Sequence, residues 1–553
     1  CFYLKVSIKV SKPPAIAEFG WRRELMTELT RQWGWENDQL LQLDSRKNWK
    51  INSVVAEKRK LVQELTDSYK FLSSFARQNT TLSRISEQDI NLLGRKLYAA
   101  FERRSGKIEF VNPGIAPNLH EDFLTFHYST SSNDISSWLL YKDKVDARDS
   151  KYHASIKRST SLLELVSWAY LNGILDNTTK VQLNKGSSDV EQIELKQLCN
   201  GLIQLFPIEI RIPSDNAYKE PARNLFSLLI VNLGTDPMAE LTRRGLQLIS
   251  NKTDALNYGN QYINLALNFE MLTLNSWGEV SLTAFSNENA VAASLTAWLH
   301  QLPKNKIDKP ALVVQSYCKT RSESITFRIN ALWNDITNAW YNNQQYASMR
   351  YLLTLSNQKL VIEINEQETN ARLLFDEHAL HHELSSARAE FSPLIIDRYS
   401  LTETPLAKIY SLNKSAEIQL FYSVEKNTAD VWVVDEMGTM FHQQQYFLDQ
   451  ITLLNPYRRF LQSVIYRQNA VSGLSINKVP MLYQLTKERS NDDGWIAQEC
   501  PINDETSMIR YFNIQVIASA DPFGNPLFTY YCDDIEFSPL EYGDKLLPAV
   551  ANQ

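Results

Sequence analysis

The hydrophobic period of this chain changes once, and that change limits the fold more than anything else in the sequence. Through the first hundred residues apolar side chains recur at helical spacing. Trp21, Leu25, Leu29 and Trp33 form one stripe. Val54, Leu61, Leu65, Tyr69, Leu72 and Phe75 form a second. Ile90, Leu93, Leu97 and Phe101 form a third, with Ser86 placed as an N-cap three residues before Asp89. Three such stripes predict a small helical bundle. From Lys107 onward the apolar residues alternate or run in short blocks between turn residues, which is the signature of strands. The class this implies is α+β and multidomain: an N-terminal helical region followed by mixed strand-rich domains.

The strand-rich part divides by its punctuation. Lys107 to Val111 alternates and ends at the turn signal Asn112-Pro113-Gly114. Phe123 to Tyr128 and Trp138 to Tyr141 read as strands joined by a Ser/Asn loop. A helix is expected from Ser161 to Leu171, closed by Asn172-Gly173, and another near Val190 to Phe206. Three prolines between Phe206 and Pro221 mark the best interdomain boundary. Beyond it, strands are expected at Leu225 to Leu233, Ala311 to Tyr317, Leu352 to Leu355, Leu360 to Ile364, Ile418 to Tyr422 and Val431 to Val434. A hairpin is expected over Tyr262 to Phe285, with its turn at Ser276-Trp277-Gly278. Helices are expected at Ile325 to Trp340 and Leu448 to Val464, and two last strands around Asp521. The division is therefore 1–105 helical, 106–213 α+β and 214–553 α+β. No fixed-period repeat is visible.

Composition excludes several function classes. With 553 residues, of which 44% are hydrophobic and 11% aromatic, the chain has ample material for packed cores. A net charge of −6 gives no general attraction for polyanions, and basic runs such as Lys58-Arg59-Lys60 are short. No nucleic-acid partner is expected, and the twelve tryptophans are mostly spaced as core residues. No apolar run reaches the roughly 18 residues of a membrane span. Five cysteines (Cys1, Cys199, Cys318, Cys500 and Cys532) are too widely scattered for a disulfide framework or a thiolate zinc site, and fit a reducing cytoplasm. The start, Cys1 to Val6, reads as the middle of an element, so the natural N-terminus is expected upstream.

The search for chemistry is nearly empty. There is no GxGxxG, no phosphate loop of the GxxxxGK[ST] kind and no GxSxG. Gly186-Ser187-Ser188-Asp189 has the start of a nucleotidyltransferase loop, but Glu191 and Glu194 follow on a helix, and no DxD pair is there to hold magnesium. His378 and His382 would share a helix face at a spacing that ligates zinc, yet Ala379 stands where a zincin needs Glu, so a polar surface helix is the expectation. Paired acids such as Asp533-Asp534 are ordinary surface features. No residue of this chain is named as catalytic, cofactor-binding or metal-ligating.

A set of ordered motifs carries a resemblance instead. Cys1 to Val6, Gly20-Trp21-Arg22-Arg23, Asn48-Trp49-Lys50-Ile51 and Arg95 to Glu102 come first. Val111-Asn112-Pro113, Leu124-Thr125-Phe126, Trp168-Ala169, Val231-Asn232-Leu233 with Asp236-Pro237, and Asn275-Ser276-Trp277 follow. In this order they resemble the class I adenylate cyclases of gammaproteobacteria, densely to about residue 130 and recognisably to about 285.

The resemblance implies an intact protein that converts ATP to cyclic AMP and pyrophosphate with magnesium (Mg2+). The Gly-Ser loop and DxD pair would lie upstream of Cys1. This chain would supply accessory and regulatory regions and be inactive alone. It also implies a possible partner, the glucose-specific IIA protein of the sugar phosphotransferase system. A phosphorylated histidine has been proposed for the family just before a Phe, and the matching residue here is Ala284, before Phe285; alanine has no group that accepts phosphate. The alternative is a stand-alone interaction protein of the same descent, binding a phosphotransferase component without catalysis.

Overall fold

A computed structural model describes residues 3, 9–11, 20–78, 86–112, 115–116, 118–130, 136–206, 213–243, 253–259, 262–286, 289–302, 308–343, 345–400, 404–414, 417–472, 480–487, 494–502, 514–520 and 526–532. The N-terminal region is helical, with α1 (Gly20–Gln32), α2 (Asn37–Asp44), α3 (Ile51–Gln78) and α4 (Glu87–Phe101). Ser86 caps α4 through a reciprocal pair of bonds with Asp89, satisfying backbone donors that the first turn leaves without partners.

The stripes do not form the expected core. Trp21 is 63% exposed, and Leu25 and Trp33 also face outward, while Met26 and Thr30 turn inward beside Leu40 and Tyr3. A four-residue spacing drifts about 40° per step around a helix of 3.6 residues per turn, so a stripe built on it winds off the buried face. Along α3 only Ile51, Val54 and Lys58 are fully buried, and Phe71 and Phe75 are exposed.

Strands begin later than the alternation at Lys107 predicts. Lys107 makes one isolated bridge to Ser281, and Ile108 and Val111 fill core positions without joining a ladder. The first sheet is β1 (Phe123–Thr130), β2 (Ser136–Lys142), β3 (Lys157–Ser159) and β4 (Lys180–Asn184), in the order β3-β2-β1-β4. Helix α5 (Leu162–Leu171) joins β3 to β4, and α6 (Gln192–Leu205) follows β4. Strands β1, β2 and β3 are antiparallel neighbours, whereas β4 lies parallel to β1.

The same plan recurs three times. The second sheet contains β5 (Asn224–Val231), β6 (Asn268–Asn275), β7 (Val280–Ser286) and β8 (Ala311–Ser316), in the order β7-β6-β5-β8. A short α7 (Ala239–Arg243) follows β5, α8 (Ala290–His300) joins β7 to β8, and α9 (Ser322–Asn342) comes after β8.

The third sheet is β9 (Ser348–Leu355), β10 (Gln358–Asn365), β11 (Thr369–Leu374) and β12 (Leu394–Ile396), in the order β11-β10-β9-β12. Its crossover helix is α10 (Glu377–Leu384), and α11 (Leu406–Leu412) follows.

The fourth sheet runs β15-β14-β13-β16-β17, from β13 (Gln419–Glu425), β14 (Thr428–Val434), β15 (Met440–Tyr446), β16 (Met481–Lys487) and β17 (Trp495–Cys500). Here α12 (Gln450–Ser472) makes the crossover. Each time the fourth strand pairs parallel to the first. The plan starts at residues 123, 224, 348 and 419, at unequal intervals, so no fixed period marks it in the sequence. Strands β18 (Ile514–Ala520) and β19 (Pro526–Cys532) form a separate hairpin.

The chain folds as two compact units. One takes residues 1–239, 267–288 and 309–326; the other takes 240–266, 289–308 and 327–553. In the first, the apolar faces of the first two sheets share a core with α5 and α6. Asn172, capping α5, accepts a bond from the Val111 backbone N–H at 2.7 Å and donates to the Glu109 and Trp168 carbonyls at 3.0 and 2.9 Å. In the second, α12 covers one face of the fourth sheet. The other face, carrying Phe421, Trp432 and Leu485, packs on Leu352 and Val361 of the third sheet and on α10 and α11. Among the described residues no helix is long and apolar enough to cross a membrane.

Candidate functional site

The second unit contains a cleft of about 940 Å³, within the size range of small-molecule sites. Its rim is built from the first hairpins of the third and fourth sheets. The lining includes Thr354, Asn357 and Lys359 from β9, β10 and their turn, and Ser423, Glu425 and Asp430 from β13 and β14. The β9–β10 turn is two residues long, with Ser356 and Asn357 both at positive φ, the geometry that matches strand twist in tight hairpins.

One buried polar network orders the floor. Arg328, on α9, donates from Nε to Asp254 and from Nη2 to Asp397, each at 2.7 Å. Asp397 also accepts from the Ser400 hydroxyl at 2.8 Å, and Ser400 accepts the Thr354 backbone N–H at 2.7 Å. Asn257 donates to the Thr354 carbonyl at 2.7 Å and accepts from the Asn357 backbone at 3.0 Å. Three separate stretches of chain are thereby tied to β9. Burial pushes the Asp397 carboxyl up in spite of the Arg328 guanidinium beside it. Burial opposes the charge on Arg328 too, but Asp397 and then Asp254 outweigh it and raise its pKa.

The wall is aromatic. Trp432 on β14 sits opposite His442 on β15, and their rings stack with centroids 5.1 Å apart at 17°. His381 of α10 stacks on His442 at 4.8 Å and 19°. Asp430, two residues before Trp432 and so on the same face, bonds the His442 Nε2 at 3.0 Å. Burial, and after it the neighbouring His442, holds the His381 pKa below the usual histidine value. Lys487 and Trp495 also line the cleft, with the Lys487 ammonium 5.9 Å from the centroid of the Trp495 ring. Two buried polar atoms of lining residues, Thr404 Oγ1 and Trp495 Nε1, have no hydrogen-bond partner among the described residues.

The residues weighed from sequence lie elsewhere. Gly186 occupies a positive-φ turn ahead of α6, Ser187 approaches the Thr130 hydroxyl at 3.3 Å, and Glu191 and Glu194 cap α6. This is a helix-opening turn. His378 and His382 are exposed on α10, and His381 between them is the residue that reaches the cleft. Among the described residues no three His, Cys, Asp or Glu side chains are placed together to hold a metal ion. Lys58 is buried against Glu109 at 2.9 Å, and Lys60 pairs with Glu57 on the surface. Ala284 lies exposed on β7. Cys1 and Asp533-Asp534 fall outside the described residues.

His442, Asp430, Trp432, Lys487 and Trp495 escaped the sequence reading. Their only local signal is the alternation Asp430-x-Trp432 on a strand. What gathers them is ladder register and the docking of α10, neither of which is written locally.

The chain matches three family models. They are described as the second domain of class-I adenylate cyclase over residues 1–112, the third over 119–210 and the fourth over 212–390. It is similar to an adenylate cyclase of Yersinia intermedia, with 35% identity over 333 residues, covering 60% of this chain and 39% of the relative. Adenylate cyclases of Proteus mirabilis and Escherichia coli K12 are each 33% identical over the same shares. The chain thus spans about 39% of the length of these curated relatives. The cleft draws on both sides of residue 390, so part of it lies beyond the family models.

Proposed function

Because the chain belongs to the class I adenylate cyclases, we propose that it supplies the accessory and regulatory regions of an enzyme that converts ATP to cyclic AMP and pyrophosphate. The observation that carries this reading is the numbering of the matched domains: residues 1–390 correspond to the second, third and fourth. In this reading residues 1–105 are a helical accessory region, 106–213 complete the catalytic half, and 214–553 regulate it. The magnesium and the triphosphate are held by a Gly-Ser loop and a DxD pair in a part of the protein other than these residues. No side chain described here is assigned to them, and residues 1–553 alone are inactive. The enzyme works in the cytoplasm.

The glucose-specific IIA protein of the phosphotransferase system is the partner proposed for the regulatory region. Ala284 is exposed on β7 but carries no nucleophile, so such a partner would act here by contact rather than by phosphorylating this position.

Cyclase assays test the reading. Cyclic AMP from the complete reading frame, with none from purified residues 1–553, is expected. Product from residues 1–553 alone overturns the accessory assignment, and none from the complete frame overturns the cyclase reading. Failure of the IIA protein to co-purify with residues 1–553 removes the proposed partner.

A further inference from the structure

We infer that the outer edge of β15 is a self-association surface, on which the β15 strand of a second copy of this chain adds antiparallel and extends the fourth sheet. The inference stands apart from the cyclase reading, because association is measured on this chain itself.

Ladder parity shows which backbone groups face outward. The Asp435 N–H donates to the Thr439 carbonyl at 3.0 Å, and the Phe447 N–H donates to the Asn427 carbonyl at 3.1 Å. Hydrogen-bonded and non-bonded pairs alternate along an antiparallel ladder, and the β14–β15 register runs from Val434 opposite Met440 to Thr428 opposite Tyr446 without a shift. Phe441, Gln443 and Gln445 therefore turn their N–H and C=O groups toward β14. His442, Gln444 and Tyr446 turn theirs away from the sheet. Among the described residues none of these outward groups has a hydrogen-bond partner. Solvent reaches them: the His442 side chain is 24% exposed, yet the residue as a whole is exposed, so much of that exposure lies on its main chain.

Other sheet edges are closed in identifiable ways. On β4 the Gln192 side chain accepts the Leu183 N–H at 2.7 Å and donates to the Val181 carbonyl at 3.0 Å. On β7 the Val280 carbonyl accepts from the Ile108 N–H at 2.8 Å, and the Leu282 N–H donates to the Gly106 carbonyl at 2.7 Å. Strand β11 carries Arg372, ion-paired with Glu363 at 2.7 Å and Glu383 at 3.2 Å. An open edge is a template for another strand unless charge, proline, a bulge or a covering segment blocks it. The stretch from Met440 to Tyr446 contains no Asp, Glu, Lys, Arg or Pro, and its ladder has no bulge.

Residue order selects a second copy as the occupant. Read outward from Gln444, the sequence is nearly palindromic: Gln443 and Gln445, then His442 and Tyr446, then Phe441 and Phe447. A two-fold antiparallel pair brings each residue opposite its mirror position. Gln444 then meets the second copy's Gln444, and His442 meets the second copy's Tyr446, each pair exchanging both backbone bonds. Side chains match like with like, amide beside amide and ring beside ring. No acid or fixed cation of the strand is forced against its own kind, and Tyr446, 85% exposed, gains cover.

Sedimentation velocity of residues 1–553 between about 1 and 100 µM tests this. A concentration-dependent equilibrium between monomer and dimer is expected. Gln444→Pro removes an outward N–H and no bond to β14, a change that an edge strand tolerates. It should weaken association about tenfold or more while leaving the thermal melt unchanged. Gln444→Lys sets two ammonium groups side by side across the two-fold, and should weaken association at low salt with recovery at about 0.5 M salt. Gln444→Cys should yield a disulfide-linked dimer on oxidation with diamide that the parent chain does not, because Cα atoms of a hydrogen-bonded pair stand about 5.5 Å apart, within disulfide reach. A chain that stays monomeric up to about 100 µM overturns the inference and leaves the edge to a strand of another protein. A dimer that neither Gln444→Pro nor Gln444→Lys weakens overturns it as well, by placing the contact elsewhere.

Discussion

Replacing Arg328 by methionine removes one cation from a site where two carboxylates depend on it. Arg328 is 2% and Asp397 1% exposed, and the two are joined at 2.7 Å, as are Arg328 and Asp254. Methionine keeps much of the volume, so the dominant loss is electrostatic: Asp397 is left buried with only the Ser400 hydroxyl and its own backbone surroundings. Removing one partner of a buried pair costs about 3–5 kcal/mol, and that range is expected for unfolding of the second unit, read by tryptophan fluorescence in a urea titration at pH 7. The loss is tied to charge, so it depends on pH. The folded-state pKa of Asp397 is already above its ordinary value, and without Arg328 it rises further. A carboxyl raised on folding leaves stability intact below its unfolded pKa and loses it as pH climbs through the folded one. The deficit should therefore shrink on acidification toward pH 4. Adding Asp397→Asn removes the stranded charge and should recover more than half of the loss at pH 7. A deficit under about 1 kcal/mol, or a double variant no more stable than the single one, would refute the claim that this network holds the cleft floor.

Three further outcomes are expected. Asn172→Ala strips the buried Val111 N–H of its acceptor and two carbonyls of a donor, and should cost about 1–3 kcal/mol in thermal unfolding of the first unit. Burial first, and then Glu164 nearby, raises the Glu270 carboxyl pKa although the Ser161 hydroxyl donates to it at 2.5 Å. Parental stability should fall as pH rises through that folded-state pKa, while Glu270→Gln removes the slope; equal pH profiles for the two would count against a raised carboxyl pKa at this half-buried position. Burial also pushes the Cys199 thiol up to about 12, so mass spectrometry after native alkylation with iodoacetamide should find Cys199 unmodified and the half-buried Cys500 labelled.

Much of the secondary structure was legible because it is written in short windows. Ser86 and Asp89 announced a cap that is formed, Asn172-Gly173 ended α5 where expected, and Ser276-Trp277-Gly278 turned the β6–β7 hairpin. The α8 helix was missed because Ala290 to His300 is apolar nearly all round and offers no polar face to set a period. The four-residue stripe on α1 misled for a related reason: spacing shows that a face exists, while burial depends on what the fold places against it.

The amino-acid order alone determined the α+β class, the family, and most helices and hairpins, since caps, turns and periodicity act over a few residues. Tertiary structure decided the rest. The recurring β-β-β-α-β plan is hidden by insertions of unequal length, because hydrogen-bonded pairing tolerates long connections that erase any sequence period. The cleft exists only because Trp432 pairs with His442 across a ladder, α10 lays His381 on that pair, and Arg328 reaches acids 74 positions before it and 69 after it. Contacts between such distant positions follow from packing the whole chain, and no local pattern encodes them.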